Sequence, residues 1–168
     1  MAPPTLLRGG AKDRAEEASM SSRSSKDDEK KRSRQIAWDH PPTRWWRLLP
    51  PSDFHPDAIR AMRSVASQVE FFGEPRWRAA VAGDAASAIA IVLSMKPKGP
   101  FRQKFDLAMT ALAACACEGN AAACVVIGNI ILNLSRGSDK ESDLADAWAR
   151  LASFTLQRSM SEMFGDHA

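Results

Sequence analysis

Three cysteines and three histidines are the residues whose types could bind a metal or act as nucleophiles. They are Cys115, Cys117, Cys124, His40, His55 and His167. Cys115 and Cys117 stand two apart in an Ala-rich segment with helical character. On a helix such residues point about 200° away from each other, so the pair cannot converge on one ion. No histidine lies nearby to complete a tetrahedral set. The pattern predicts reduced, buried structural thiols and no metal. His40 and His55 each precede a proline, and His167 is penultimate. None falls in a nucleophile or ligand motif. A Gly-rich phosphate loop, an HExxH pattern and a serine-nucleophile elbow are all missing. Asp143 and Asp146 share a helix face with Arg150, which makes an ordinary surface pair at a four-residue step. The expectation is a chain with no catalytic residue and no cofactor, and therefore not an enzyme.

The run Arg44-Trp45-Trp46-Arg47 is the remaining candidate site. Cations beside aromatic platforms suit nucleic acid or an anionic membrane. Lys30, Lys31, Arg32 and Arg34 add to that field, while Asp27, Asp28 and Glu29 partly cancel it. Tryptophans between the proline pairs Pro41-Pro42 and Pro50-Pro51 suit a different role, anchoring an arm to a core or docking a partner. Arg44, Trp45, Trp46 and Arg47 are the candidate partner-binding residues, and at least one tryptophan is expected to pack on the helices.

The rest of the chain must position these residues. Its 168 residues allow one domain of ordinary size, and 45% apolar composition suffices for a core. Mean hydropathy is −0.30. No apolar run reaches about 18 residues, the length a membrane span needs. The longest candidate, Ala121–Leu134, contains Gly128, Asn129 and Asn133. Leu6 and Leu7 are the only large apolar residues near the start, and charges follow at once, so no secretory signal is read and a cytoplasmic location is expected. The Ser-rich start is also compatible with export as an effector. Met20 is an alternative translation start. Residues 1–34 hold nine Lys/Arg against six Asp/Glu, while residues 35–168 hold fourteen of each. The whole excess of +3 sits in the tail.

Three regions follow. Residues 1–34, poor in large apolar side chains, read as a disordered basic arm. Residues 35–54 read as a Trp/Pro-rich extended segment, with room for one short helical turn at 44–49, because the prolines forbid a long helix. Residues 55–165 read as a helical domain of about six helices, over 56–72, 75–82, 84–95, 102–118, 120–134 and 138–163. Ile59, Met62, Ala66, Val69 and Phe72 give the first an apolar face. The run Lys96-Pro97-Lys98-Gly99-Pro100 breaks the third from the fourth. Ser138 and Glu141 have capping-box spacing.

The informative feature is self-similarity. Residues 82–91, AGDAASAIAI, match residues 118–127, EGNAAACVVI, at an offset of 36. Helix–turn–helix repeats have periods near this value. Gly83 and Gly119 are placed to end a helix in the left-handed conformation, and Asp84 and Asn120 to cap the next one. Ala108, Leu112 and Ala113 echo Ala147, Leu151 and Ala152 at an offset of 39.

At these residues the chain resembles the Sel-like repeat family, relatives of the tetratricopeptide repeats. Ala113-Ala114, Gly119-Asn120-Ala121-Ala122 and Ile127-Gly128 look like one unit boundary. Trp77 to Asp84 looks like the previous one, and Asp146 to Ala152 like the closing helix. The chain departs from the family in having no Tyr, and Arg158 stands where a further Gly turn would fall. The resemblance covers about residues 75–155. It implies an α-solenoid-like repeat that binds another protein on a concave face, as a scaffold or adaptor. The alternative is a nucleic-acid or membrane-surface accessory protein binding through residues 23–47.

Overall fold

The computed structural model describes residues 28, 31–95, 102–134 and 138–164. Residues 1–27 of the expected arm, the break at 96–100, the loop at 135–137 and His167 lie outside them. The described residues are all-helical, with no strand among them. They fall into two compact units that divide after Asp39.

The first unit contributes α1, helical over 31–38. This corrects the expected boundary, which placed disorder up to 34 and an extended chain from 35. Lys31, Arg32, Gln35 and Ala37 are good helix formers, and no Gly or Pro interrupts them. The segment stops before Pro41-Pro42.

The second unit opens with two 3-10 helices, Pro42–Arg47 and Pro51–Asp53. An extended arm was expected over most of this stretch. Each proline pair instead starts a turn. Pro41 and Pro50 are extended, as a residue before proline must be. Pro42 and Pro51 then take the first helical position, where a missing N–H costs nothing.

Five α-helices follow: α2 (Pro56–Ser67), α3 (Trp77–Val81), α4 (Ala85–Ser94), α5 (Arg102–Cys117) and α6 (Ala121–Leu134). The long α7 (Asp139–Phe164) ends the described chain. His55 Nδ1 caps α2 by accepting from the Ala58 N–H. The capping box at Ser138 and Glu141 forms as its spacing predicts. α2 is shorter than expected. It ends at Ser67 because Phe71 leaves the helical path to stack on Trp77, with ring centroids 4.0 Å apart and planes within 4°. The Trp77 indole N–H donates to the Val69 carbonyl, and Gly73 turns the chain with φ 81°. Phe72, expected on the apolar face, is fully exposed.

The two repeat turns match bond for bond. Gly83 and Gly119 have φ of 111° and 105°. Gly83 N–H donates to Ala80 O and Asp84 N–H to Ala79 O, while Gly119 N–H donates to Ala116 O and Asn120 N–H to Cys115 O. Each is a Schellman motif that satisfies the last carbonyls of its helix. The residue after each glycine caps the next helix. Asp84 accepts from the Ala86 and Ser87 N–H groups, and Asn120 Oδ1 from the Ala123 N–H at 2.9 Å. Sequence self-similarity over residues 82–91 and 118–127 therefore reflects the same local physics used twice.

The packing encloses one helix. Every residue of α5 from 105 to 116 is buried. α2, α4, α6 and the first 3-10 helix surround it, and α3 also touches it. α7 packs mainly on α6 and reaches the second 3-10 helix. Contact between α6 and α7 is close because Gly128 is buried there. A Cβ at this position would lie 3.3 Å from the Ala145 carbonyl oxygen and 3.8 Å from Trp148 Cβ.

Two substitutions test this account. Gly128→Val should destabilise by about 1–3 kcal/mol, the usual cost of overpacking. Asn120→Ala should cost about 1 kcal/mol through the lost cap. Urea denaturation with unchanged slope checks both. A neutral Gly128→Val would show that α7 is free to shift.

Candidate functional site

The candidate Arg44-Trp45-Trp46-Arg47 run lies in the first 3-10 helix, against α5 and α2. Trp46 is 1% exposed and meets Phe105 of α5 edge-on, with centroids 6.2 Å apart at 77°. Trp45 is also buried, and its Nε1–H donates to the His40 carbonyl at 2.8 Å. Arg47 lies over the Trp46 ring, with its guanidinium carbon 5.7 Å from the centroid. It also donates from Nη2 to Asp106 Oδ2 at 3.0 Å. Asp106 is itself buried on α5. The run is therefore an anchor that fastens this segment to the central helix. Only Arg44 of the four stays exposed. Both tryptophans pack on the helices, as expected of at least one of them.

A second arrangement brings the repeat turns together. Arg63 of α2 donates from Nη1 to the Ala80 and Val81 carbonyls, both at 3.0 Å, at the end of α3. Its Nε donates to Glu118 Oε1 at 3.2 Å, and its Nη2 to Glu118 Oε2 and to Cys115 Sγ. Glu118 is the last residue before Gly119. One guanidinium thus ties the turn at Gly83 to the turn at Gly119. Burial works against its charge, but hydrogen bonds to Glu118 and Cys115 hold its pKa above the ordinary value.

The cysteines lie around the second turn, and all three are free thiols. Burial pushes Cys117 up to about 12 and Cys124 up to about 11, and it also raises Cys115. Cys124 Sγ lies 3.7 Å from the Ala116 carbonyl oxygen. These are protonated thiols in a packed hairpin, chemically quiet at neutral pH.

Arg63, Glu118 and Asp106 were not singled out from the sequence. One signal was legible. Glu118 occupies the position where the otherwise similar first copy has Ala82. A charge placed at a turn in only one copy marks a specific partner. Arg63 carried no signal, because a cation beside an apolar helix face is commonplace.

No helix among the described residues is long and apolar enough to cross a membrane. Comparison with protein-family models, with curated proteins and with solved structures finds no match.

Three outcomes follow from this geometry. Arg63→Met should cost about 2–3 kcal/mol, because it strips charge-assisted bonds from two carbonyls and leaves Glu118 alone. Glu118→Gln should cost under about 1 kcal/mol, because that side chain is half exposed. Equal losses in denaturation would contradict the clamp.

Trp46→Ala should cost about 3–5 kcal/mol, the range for large core truncations. Trp46→Phe should cost less than Trp45→Phe, because the Trp46 indole N–H has no acceptor among the described residues and that of Trp45 has one. The reverse order would refute this assignment of the two indoles.

The thiols set a pH dependence. Unfolded, they ionise at the ordinary value of 9.0; folded, Cys124 and Cys117 ionise at about 11 and about 12. The stability they carry is complete below the unfolded value and is lost as pH rises through the folded ones. Thermal melts over that range should fall more steeply for the wild type than for the Cys117→Ala/Cys124→Ala double variant. Parallel slopes would show that the thiols are not buried in solution.

Proposed function

We propose that this chain is a non-enzymatic protein–protein interaction module, a scaffold or adaptor built on helix–turn–helix repeats of the Sel-like kind. The observation that carries the reading is the outward face of α6. That helix has no charged residue anywhere in its 14 positions. Its inner residues Cys124, Ile127 and Ile131 are buried, while Ala122, Val125, Asn129 and Leu132 face outward and are exposed. Val125 and Leu132 stand 47% and 49% exposed, seven residues apart on one side. A helix that is apolar nearly all round is normally covered on every side. A neutral outward face of this kind supports a protein partner better than a polyanion, which would be met by Lys and Arg. The paired Schellman turns support the repeat reading, because they place α4 and α6 after equivalent corners.

The test is affinity capture from native cells by the full chain, beside a Val125→Glu/Leu132→Glu variant with an unchanged melting temperature. Expected is a defined set of captured proteins that the variant loses. Identical capture by both would sink the reading. Retention of nucleic acid or anionic vesicles, weakening steeply with salt, would favour residues 23–47 as the binding segment instead.

A further inference from the structure

The far half of α7 is a second surface, and its occupant can be argued. α6 and α7 form an antiparallel hairpin. Gly128 lies against Ala145 and Trp148, so the start of α6 at Ala121 falls opposite about residues 152–155 of α7. α7 continues to Phe164. The apolar stripe that meets α6 is Ala145, Trp148 and Ala152, all buried. At helical steps of three and four the same stripe runs on through Leu156, Met160 and Met163. These are 53%, 56% and 68% exposed. The stripe thus outlasts its intramolecular partner by roughly three turns, at 3.6 residues per turn.

This half of the helix is also poorly supported by its own composition. Ser153, Thr155, Ser159 and Ser161 each turn a hydroxyl back onto a carbonyl four residues earlier. Such back-bonding is no substitute for packing and slightly weakens a helix. An isolated stretch of this length is marginal in water even with the best helix formers. A weak helix with a continuous apolar stripe gains its stability from a surface laid against that stripe.

We infer that residues 153–164 form a self-association surface, which takes the same segment of a second copy of this chain in antiparallel orientation across Leu156, Met160 and Met163. Three observations select a second copy. The stripe is flanked by uncharged Gln157 and Ser159, and the one ion pair of this half, Arg158 with Glu162, closes within the helix. Two identical stripes therefore meet without a like-charge clash. Residues 35–168 carry fourteen positive and fourteen negative side chains, so the part of the chain that bears the stripe adds nothing to the net charge of +3, which lies in residues 1–34. The stripe also continues an interface that already pairs this helix antiparallel with α6, and that orientation sets the helix dipoles in opposition. A segment of about 18 Å, at 1.5 Å per residue, fits the small, reversible class of interface. It is too short to bury the roughly 2,000 Å² or more of a permanent dimer.

Sedimentation velocity and far-ultraviolet circular dichroism of the full chain, from about 10 µM to about 1 mM, test this. A monomer that shifts toward dimer with concentration, with helical signal rising in step, is expected. Met160→Glu should weaken association at least tenfold and leave the melting temperature of the helical body unchanged. Met160→Leu should retain association, as should Val125→Glu/Leu132→Glu on α6. A chain that stays monomeric throughout would overturn the inference. A dimer indifferent to Met160→Glu, or one lost in the α6 variant, would overturn it as well. Apart from loss in the α6 variant, these results do not bear on whether the α6 face captures a partner, so the two readings fail separately.

Discussion

The arginine at position 63 is the constraint around which the helical body is organised. Its guanidinium reaches the end of α3 and the end of α5 together. Helix C-termini leave carbonyls that need donors, and each carries a partial negative charge. Two such ends brought side by side would repel. A cation held between them offsets the repulsion, donating to the Ala80 and Val81 carbonyls at the end of α3 and to the Glu118 carboxylate at the end of α5. Arg serves here where Lys would not, because its planar fork presents several donors in fixed directions. The half-exposed Glu118 completes the geometry. Fixing both turns also fixes the starts of α4 and α6, since Asp84 and Asn120 belong to the turns as well as capping the helices that follow.

From that clamp the burial of α5 follows. A helix with its C-terminal turn tied to α2 and α3 presents its remaining sides to α4, α6 and the first 3-10 helix. Its sequence suits enclosure. Ala108, Ala111, Ala113, Ala114 and Ala116 allow neighbours to come close from several directions, and Phe105, Met109 and Leu112 fill the gaps. The polar exceptions are handled locally. Thr110 returns its hydroxyl to the Asp106 carbonyl at 2.7 Å, and the Asp106 carboxylate receives Arg47. Arg47 and Asp106 fix the register of the Trp segment, whose two indoles supply the apolar area. In an open repeat array that side of α5 would be free to receive a partner. Here the chain's own α2 and tryptophans occupy it.

Legibility in the sequence divided along the range of the interactions. The turns at Gly83 and Gly119 were readable because positive φ, glycine and a following Asp or Asn are settled within six residues. The α4, α5 and α6 boundaries were readable for the same reason. α2 was read five residues too long, because the periodicity that continued through Phe72 could not reveal that Phe71 stacks on Trp77. α1 opens with charged and polar residues that composition alone reads as a disordered arm, and the proline pairs read as barriers that leave room for one short turn at 44–49, where two 3-10 helices start. How the Arg44–Arg47 run is used turns on a longer-range fact, the packing of its tryptophans on the helices and the pairing of Arg47 with Asp106. A pair of tryptophans beside cations looks the same whether the cations face a phosphate or a buried aspartate 59 residues away.

What distinguishes α6 and α7 from the core helices is the mismatch between apolar supply and demand. α5 uses apolar residues on every side and covers them all. α6 buries one side, yet carries no charge to solvate the other. α7 carries charges on its outer faces but outruns the helix that covers its stripe. A protein that needed only to fold would reach the same core with a charged outer face on α6 and with α7 ended near Ala152. Folding alone gives no reason for either feature. Both leave apolar area in water at a cost of about 25 cal/mol for each Å², which an intermolecular contact removes. The two surfaces differ in kind: an uncharged outward face on α6, and on α7 the exposed continuation of a stripe that α6 covers further back.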